Sequence, residues 1–220
     1  MDRSEAMRDF SFNPRPGVSS VMGTMPGFIC VYCSSSDRLE PKYYQAAERF
    51  GRQLAAHGWG LVYGGGNRGV MGVLGRAVKQ AGGRVVGIIP EFMISRELAL
   101  DAADELVKVR TLRERKALMA ERADAFAALP GGIGTLEEFL EVMTLRYLNQ
   151  LDKPLVLVNQ DGYYDDLLRF FDKMTRERFK SDGLHRLFAV AATVDEVWPQ
   201  LADPKPFTAD ALWRGSGGGG

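Results

Sequence analysis

The sequence predicts a doubly wound α/β domain, a Rossmann-like parallel sheet with helices on both faces. Apolar strand-like runs alternate with amphipathic helical stretches along the chain. These runs are continuously apolar, which is typical of parallel strands that are buried on both faces. Neither an internal repeat nor a linker interrupts the pattern. We therefore predict a single domain over residues 27–203.

Seven short runs are predicted as strands because they are rich in β-branched and aromatic residues. They are residues 28–32, 61–63, 84–90, 106–109, 124–129, 154–158 and 187–191. The segments between them place apolar residues at helical spacing. They predict helices at residues 42–56, 70–80, 112–122, 136–148, 164–179 and 195–201. Gly58, the pair Gly82 and Gly83, and Pro90 mark element ends.

The composition excludes several classes of protein. With 28 basic and 28 acidic side chains, the formal net charge is zero, which argues against a broad electrostatic grip on nucleic acid or an anionic membrane. No run of about 18 apolar residues is present, so a membrane span is not expected. We predict neither a nucleic-acid partner nor a membrane partner.

The cysteines and histidines predict no metal site and no cofactor. Cys30 and Cys33 have C-x-x-C spacing, but they lie in an apolar strand-like run and no second pair follows. His57 and His185 are isolated and complete no ligand set. We predict buried thiols in a reducing, cytoplasmic compartment.

The two ends of the chain are predicted to be flexible tails. Residues 1–26 contain prolines and charged residues but no apolar segment typical of a secretory signal. Residues 204–220 end in Gly-Ser-Gly-Gly-Gly-Gly, which indicates a flexible linker or a cloning remnant. We leave both segments out of the fold prediction.

Glycine is over-represented, and its position is informative. It accounts for 25 of 220 residues, where about 15 are expected. Many lie in two strand-to-helix turns, residues 64–69 and 130–135, and a serine-rich turn at residues 33–36 follows the first strand. Glycine turns at helix N-termini let backbone N–H groups approach a phosphate. The alternative is a tight turn that allows close helix–strand packing, but two such turns and the serines favour a phosphate or sugar site.

A local basic segment faces the same edge of the predicted sheet. Leu112, Lys116, Met119 and Ala123 share one helix face, and Arg115 lies beside it. A buried cation requires an anionic partner. A functional partner would be a ligand phosphate or a catalytic carboxylate. The structural alternatives are a nearby carboxylate of the protein or a side chain that extends its charged end to solvent.

Glu138 has a structural and a catalytic interpretation. Thr135 and Glu138 have the spacing of a capping box with Thr135 as N-cap, and the chain repeats this T-x-x-E spacing at Thr111 and Thr193. The pattern alone favours a structural role. Its place directly after a glycine turn keeps a catalytic role open.

Taken together, these segments resemble the Lonely Guy (LOG) family of cytokinin-activating phosphoribohydrolases, whose members are often labelled lysine decarboxylase-like. The resemblance extends from about residue 27 to residue 201. It is carried by Gly64-Gly-Gly-Asn-Arg-Gly-Val-Met-Gly72, Val86-Gly-Ile-Ile-Pro90, Arg115-Lys116, Pro130-Gly-Gly-Ile-Gly-Thr-Leu-Glu-Glu138, Lys153-Pro154 and Asp161-Gly-Tyr-Tyr164.

The resemblance implies a hydrolase that cleaves the N-glycosidic bond of cytokinin or other nucleoside 5′-monophosphates, working without a cofactor as a homodimer or larger homo-oligomer. It implies that Arg115 and Glu138 are the catalytic pair. The predicted substrate-binding residues, which combine the family's contacts with those of the three turns, are Ser35, Ser36, Gly65, Gly66, Glu97, Lys116, Gly131, Gly132, Ile133, Gly134, Thr135, Leu136 and Glu137.

Two rival functions remain. A nucleotide or cofactor carrier on the same fold would bind without hydrolysis, and it would need the glycine turns but not both Arg115 and Glu138. Amino-acid decarboxylation through pyridoxal phosphate would need a Schiff-base lysine, and nothing in the sequence singles one out.

Overall fold

The computed structural model describes residues 27–94, 103–180 and 184–202. Its strands form one seven-stranded sheet in the order β4-β3-β2-β1-β5-β6-β7, and every neighbouring pair is parallel. The strands are β1 (Phe28–Tyr32), β2 (Gly60–Tyr63), β3 (Val85–Pro90), β4 (Glu105–Val109), β5 (Ala125–Ala128), β6 (Leu155–Val158) and β7 (Ala189–Ala191).

Within the described ranges, six α-helices accompany the sheet, and each predicted helix is found within a few residues of its predicted limits. They are α1 (Pro41–Ala56), α2 (Gly69–Gln80), α3 (Leu112–Arg122), α4 (Ile133–Tyr147), α5 (Asp165–Arg176) and α6 (Val197–Ala202). The largest shift at a helix start is in α4, which begins three residues before the predicted position.

The helices cover both faces of the sheet, so the doubly wound prediction is confirmed. On one face, Phe50 of α1 and Leu74 of α2 pack with Ile29 of β1. On the other face, Met119 of α3 and Phe139 of α4 pack in the cluster that contains Cys30 of β1. Alternate side chains of a strand point to opposite faces, so β1 contributes to both cores.

The strand order reverses at β1, and this positions the site. The chain builds β1 to β4 in one direction, and β5 then returns to pair with the free side of β1. In open α/β sheets, ligands bind outside the carboxyl ends of the strands at such a reversal. The serine turn after β1 and the glycine turn after β5 therefore flank one crevice.

Further sequence expectations can be compared with the structure. Cys30 and Cys33 are buried and are not joined by a disulfide, as predicted. Burial raises the pKa of the Cys30 thiol well above its ordinary value, which makes it a poor nucleophile. None of the helices in the described ranges has an apolar stretch long enough to cross a bilayer.

Close packing of α1 on α2 depends on Gly51. A Cβ added there would lie 2.8 Å from the Ala77 Cβ and 2.9 Å from the Leu74 carbonyl oxygen. Both distances are shorter than ordinary van der Waals contacts, so α1 and α2 would have to separate to admit a methyl group.

We expect Gly51→Ala to lower the free energy of unfolding by about 1–3 kcal/mol through overpacking. The matched control is Gly134→Ala in the first turn of α4, where an added Cβ meets nothing within 4 Å. The control should be neutral or stabilising by up to about 1 kcal/mol, because alanine favours the helix over glycine. Urea denaturation measures both variants, and equal effects would contradict the close helix contact.

Candidate active site

The glycine turn after β5 leads directly into α4. Gly132 is extended and serves as the N-cap, and the helix begins at Ile133. The prediction that Thr135 is the N-cap is therefore wrong, because the two glycines let the backbone turn into the helix three residues earlier. Thr135 instead occupies the third helical position, is only 4% exposed, and packs where a Cβ on Gly131 would stand.

The N-terminus of α4 is open. No side chain of the described residues caps it, and its first turn contains no acidic residue. A Cβ on Gly132 or Gly134 would meet nothing within 4 Å, so free space lies above both residues. Exposed N–H groups and the positive end of the helix dipole at this point favour an anion.

The N-terminus of α2, in contrast, is occupied by the protein itself. The Asp37 carboxylate accepts a hydrogen bond of 2.7 Å from the Gly69 N–H and pairs with Arg68 at 2.6 Å. These partners hold the pKa of the Asp37 carboxyl below its ordinary value, Arg68 contributing most. The Ser34 carbonyl accepts the Met71 N–H at 3.1 Å. Of the two glycine turns, the one before α4 is thus the better phosphate site.

Gly64, Gly65 and Gly66 lie in a tight, buried turn. A Cβ on Gly64 would overlap the Arg115 guanidinium. Gly65 has a positive φ of 77° and packs against Ile88 of β3. Glycine is required at positions 64 and 65 for close packing. This agrees with the structural alternative to a phosphate site, a tight turn that allows close packing. The substrate-binding role of Gly65 and Gly66 stays a prediction.

Arg115 is a buried cation at the carboxyl end of β2. It is only 6% exposed, and its Nη1 lies 3.6 Å from the Met93 sulfur. Its Nε is buried without a hydrogen-bond partner, and among the described residues no carboxylate lies within 4.0 Å of the guanidinium. A thioether accepts hydrogen bonds only weakly, so the charge is poorly compensated. The arrangement favours an anionic ligand at this point.

Lys116 has the structural partners that Arg115 lacks. Its ammonium contacts the carboxylates of Glu137 and Glu141 on α4. Burial acts to lower the pKa of Lys116, but these two carboxylates outweigh it and raise the value. The anionic partners of Lys116 in the structure are therefore carboxylates of the protein itself. The substrate-binding roles of Lys116 and Glu137 stay predictions.

The buried face of α3 differs from the predicted one by one position. Arg115 and Met119 are its buried residues, whereas Lys116 lies at the margin and Leu112 is 49% exposed. Leu112 is the first residue of α3 and its side chain is exposed, so the expectation that it shares the core-facing stripe with Met119 is wrong.

Glu138 and Arg115 lie on different helices, and the charges of both act on Cys30 in the middle of β1. Burial contributes most to the raised pKa of the Cys30 thiol, and a hydrogen bond with Tyr32 opposes it. The negative charge of Glu138 then raises that pKa further, and the positive charge of Arg115 lowers it. Both charges thus act on one buried residue of β1. The structure brings the predicted catalytic pair to one neighbourhood.

The other predicted site residues divide into two groups. Ser35, Ser36 and Ile133 are exposed at the carboxyl edge of the sheet, Ile133 being 90% exposed, and Leu136 is partly buried behind them. Glu97 lies outside the described residues.

Two tyrosines that the sequence analysis did not single out hold the glycine turn. The Tyr163 hydroxyl donates to the Gly131 carbonyl, and the Tyr164 hydroxyl donates to the Leu129 carbonyl, both at 2.8 Å. The only sequence signal for them is their place in the segment Asp161–Tyr164, which contributes to the family resemblance.

A second unassigned element anchors α3. The Lys153 ammonium donates to the Ala120 carbonyl at 2.8 Å and to the Glu121 carbonyl at 3.4 Å, which satisfies the C-terminal end of the helix. The Arg146 guanidinium of α4 in turn donates to the Lys153 carbonyl. Helix α3, which contains Arg115, is therefore connected to α4, which contains Glu138, both here and through Lys116 near the site.

We expect Arg115→Met to stabilise the fold by about 1–4 kcal/mol, because it replaces a poorly compensated buried charge with an apolar side chain of similar length. Arg122→Met, on the same helix, removes a partly exposed ion pair with Glu105 at 2.6 Å and should cost at most about 1 kcal/mol. Urea denaturation without ligand measures both. A loss of stability in Arg115→Met would show that the guanidinium is compensated.

Comparison with known proteins establishes the family. The model of a family described as "Possible lysine decarboxylase" matches residues 71–201. A probable cytokinin riboside 5′-monophosphate phosphoribohydrolase, LOGL5 of Oryza sativa subsp. japonica, is 45% identical over 84% of this chain and 76% of its own length. LOG4 of Arabidopsis thaliana, a cytokinin riboside 5′-monophosphate phosphoribohydrolase, is 43% identical over 82% of this chain and 84% of its own.

A solved structure confirms the fold class independently. The molybdenum cofactor carrier protein of Chlamydomonas reinhardtii superimposes with a TM-score of 0.62 at 24% identity, covering 80% of this chain and 96% of that protein. At this identity the likeness concerns the fold alone. The two relatives and the matched family model establish the family: the chain belongs to the LOG family.

Proposed function

We propose that this protein is an N-glycosidase that hydrolyses cytokinin riboside 5′-monophosphates and related nucleoside 5′-monophosphates to a free adenine-type base and ribose 5-phosphate. The observation that carries the proposal is the buried Arg115 guanidinium, which has no carboxylate partner in the described part of the chain. It belongs to the same neighbourhood as Glu138. Relatives at 41–45% identity that bear the phosphoribohydrolase name support the same reaction.

The open N-terminus of α4 is the proposed 5′-phosphate site. Its N–H groups lack a side-chain cap, and space is free above Gly132 and Gly134. A phosphate there would receive backbone hydrogen bonds and the favourable field of the helix dipole. Thr135, at the third helical position, adds a hydroxyl to this turn. Substrate would thus be held by backbone groups, which explains why the turn needs small residues.

Glu138 is the proposed catalytic carboxylate. Cleavage of an N-glycosidic bond develops positive charge on the ribose, as in glycoside hydrolysis. A carboxylate one turn behind the phosphate site can stabilise that charge and also orient a water as general base. Glu138 is partly buried, in contrast to Glu137, whose carboxylate is exposed and bound to Lys116.

Arg115 is proposed to orient Glu138 or the ribose hydroxyls. A guanidinium offers a planar fork of N–H donors, and such charge-assisted hydrogen bonds are about twice as strong as neutral ones. Burial fixes the fork: Gly64 lies directly beneath it, and Met93 lies beside Nη1. The contact would therefore form without much loss of side-chain freedom.

Decarboxylation, which the family description mentions, has little support from the lysines near the site. A Schiff-base lysine must be able to lose its proton. Lys116 contacts two carboxylates that raise its pKa, which holds it in the charged form. Lys153 is bonded to the last carbonyls of α3. Neither is placed for Schiff-base chemistry.

A cytoplasmic homodimer or larger homo-oligomer is the proposed working form. Phe92, Leu112 and Ile133 are exposed apolar side chains that follow β3, β4 and β5, respectively, at the carboxyl edge of the sheet. Apolar residues that flank a site in this way favour coverage by a second copy or by the substrate. Light scattering coupled to size-exclusion chromatography measures the oligomeric state.

The deciding experiment is incubation with AMP and, separately, with isopentenyladenosine 5′-monophosphate, followed by chromatography for the free base and ribose 5-phosphate. Release of both products from either nucleotide is the expected result. Tight nucleotide binding without any product would contradict the proposal and favour the carrier function.

We expect Glu138→Gln to lower kcat by roughly 10²–10⁴-fold, because the amide can neither act as a base nor stabilise positive charge. The fold should remain intact, since glutamine has the same shape. Glu141→Gln, one turn further along α4, leaves Lys116 bound to Glu137 and should keep turnover of the wild-type order. Near-wild-type turnover in Glu138→Gln would remove Glu138 from the mechanism.

A further inference from the structure

The loop between β6 and α5 reaches the glycine turn of the site through two adjacent tyrosines. The Tyr163 hydroxyl donates to the Gly131 carbonyl oxygen at 2.8 Å. The Tyr164 hydroxyl donates to the Leu129 carbonyl oxygen at 2.8 Å. The two hydroxyls thus bind the carbonyl groups of the residues on either side of Pro130.

The two bonds differ in what they orient. A trans peptide is planar, so its C=O and its N–H point in opposite directions, and the described residues contain no cis peptide. Fixing the Gly131 carbonyl therefore fixes the direction of the Gly132 N–H. The peptide that follows Leu129 has no N–H, because the next residue is Pro130. Through their carbonyl acceptors, therefore, Tyr163 orients the Gly132 N–H, whereas Tyr164 orients no N–H group.

The Gly132 N–H lies where the proposed phosphate site begins. Gly132 is the N-cap of α4, it is exposed, and free space lies above it. Its backbone would be the most mobile in the turn, since glycine has the widest range of accessible conformations. A hydrogen bond on the preceding carbonyl restricts that range.

The position of the Tyr163 hydroxyl is itself well determined. Its ring packs edge-to-face on Tyr164 at 4.8 Å and on Tyr43 of α1 at 6.0 Å. The loop behind it is held by the Asn159 side chain, which accepts the Tyr164 N–H at 2.6 Å. Asp161 has a left-handed backbone conformation with a φ of 53°, so the chain bends sharply just before the two tyrosines.

We propose that Tyr163 is a positioning residue for the 5′-phosphate, acting through the Gly131–Gly132 peptide and not by contact with the substrate. The proposal rests on the proposed function in that it assigns the phosphate to the α4 turn. It also assigns a role to the segment Asp161–Tyr164, which the reaction itself leaves unused.

The test is Tyr163→Phe, which removes one oxygen atom and keeps the ring contacts. Loss of one neutral hydrogen bond should weaken binding of ribose 5-phosphate by about threefold to tenfold. Binding of adenosine, which has no phosphate, should be unchanged. In turnover, KM for the nucleotide should rise by the same factor while kcat is largely retained, because ground-state and transition-state binding weaken together.

Tyr43→Phe is the matched control. It makes the same chemical change in the neighbouring ring and leaves the Tyr163–Gly131 bond in place, so ribose 5-phosphate should bind as in the wild type. Hydrogen exchange of the Gly132 amide provides a second readout, and it should be faster in Tyr163→Phe alone.

Two outcomes would overturn the proposal: unchanged affinity for ribose 5-phosphate in Tyr163→Phe, or an equal loss for ribose 5-phosphate and adenosine. The binding assay involves no turnover. A wild-type protein that hydrolyses no nucleotide, but whose Tyr163→Phe variant loses ribose 5-phosphate affinity selectively, would contradict the proposed function and still support the role of Tyr163.

Discussion

The rest of the site depends on one constraint, the burial of the Arg115 guanidinium. Arg115 is only 6% exposed and, among the described residues, a thioether is the neighbour of Nη1, so the charge is costly to maintain. Gly64 provides the room, because a side chain there would overlap the guanidinium. The glycine at position 64 is then a consequence of the arginine. An anion bound beside the guanidinium would offset the cost of burying this charge.

The two glycine turns illustrate how similar sequences acquire different roles. Both precede a helix at the carboxyl edge of a parallel sheet, and both could bind an anion through backbone N–H groups. The Asp37 carboxylate already occupies that position at α2, where it accepts the Gly69 N–H and pairs with Arg68. In the described part of the chain, no side chain does so at α4. The proposed phosphate site is therefore the turn before α4, since a protein carboxylate already binds the N–H group at the start of α2.

The fold was predictable from the sequence because the strands are short, apolar and separated by clear turn signals. The details of the site were less predictable. Thr135 has the spacing of an N-cap, but Gly132 adopts the extended conformation of the cap and the helix begins earlier. The sequence predicts an anionic partner for Arg115 and Lys116 but leaves open which kind. Lys116 pairs with Glu137 and Glu141, and such pairing between helices leaves no mark on local spacing. The tyrosine contacts join residues 32 and 35 positions apart, so periodicity contains no information about them.

A site divided between two helices requires that the helices keep their relative position. Arg115 lies on α3 and Glu138 on α4, and these helices are connected at two levels. Near the site, Lys116 of α3 binds carboxylates of α4. Away from the site, Arg146 of α4 binds the Lys153 carbonyl, and the Lys153 ammonium binds the last carbonyls of α3. The proposed orientation of Glu138 by Arg115 depends on both connections, because a charge-assisted hydrogen bond loses strength rapidly when its geometry changes. Two segments that are far apart in sequence therefore act together to hold α3 against α4, namely Arg115–Lys116 and Lys153–Pro154.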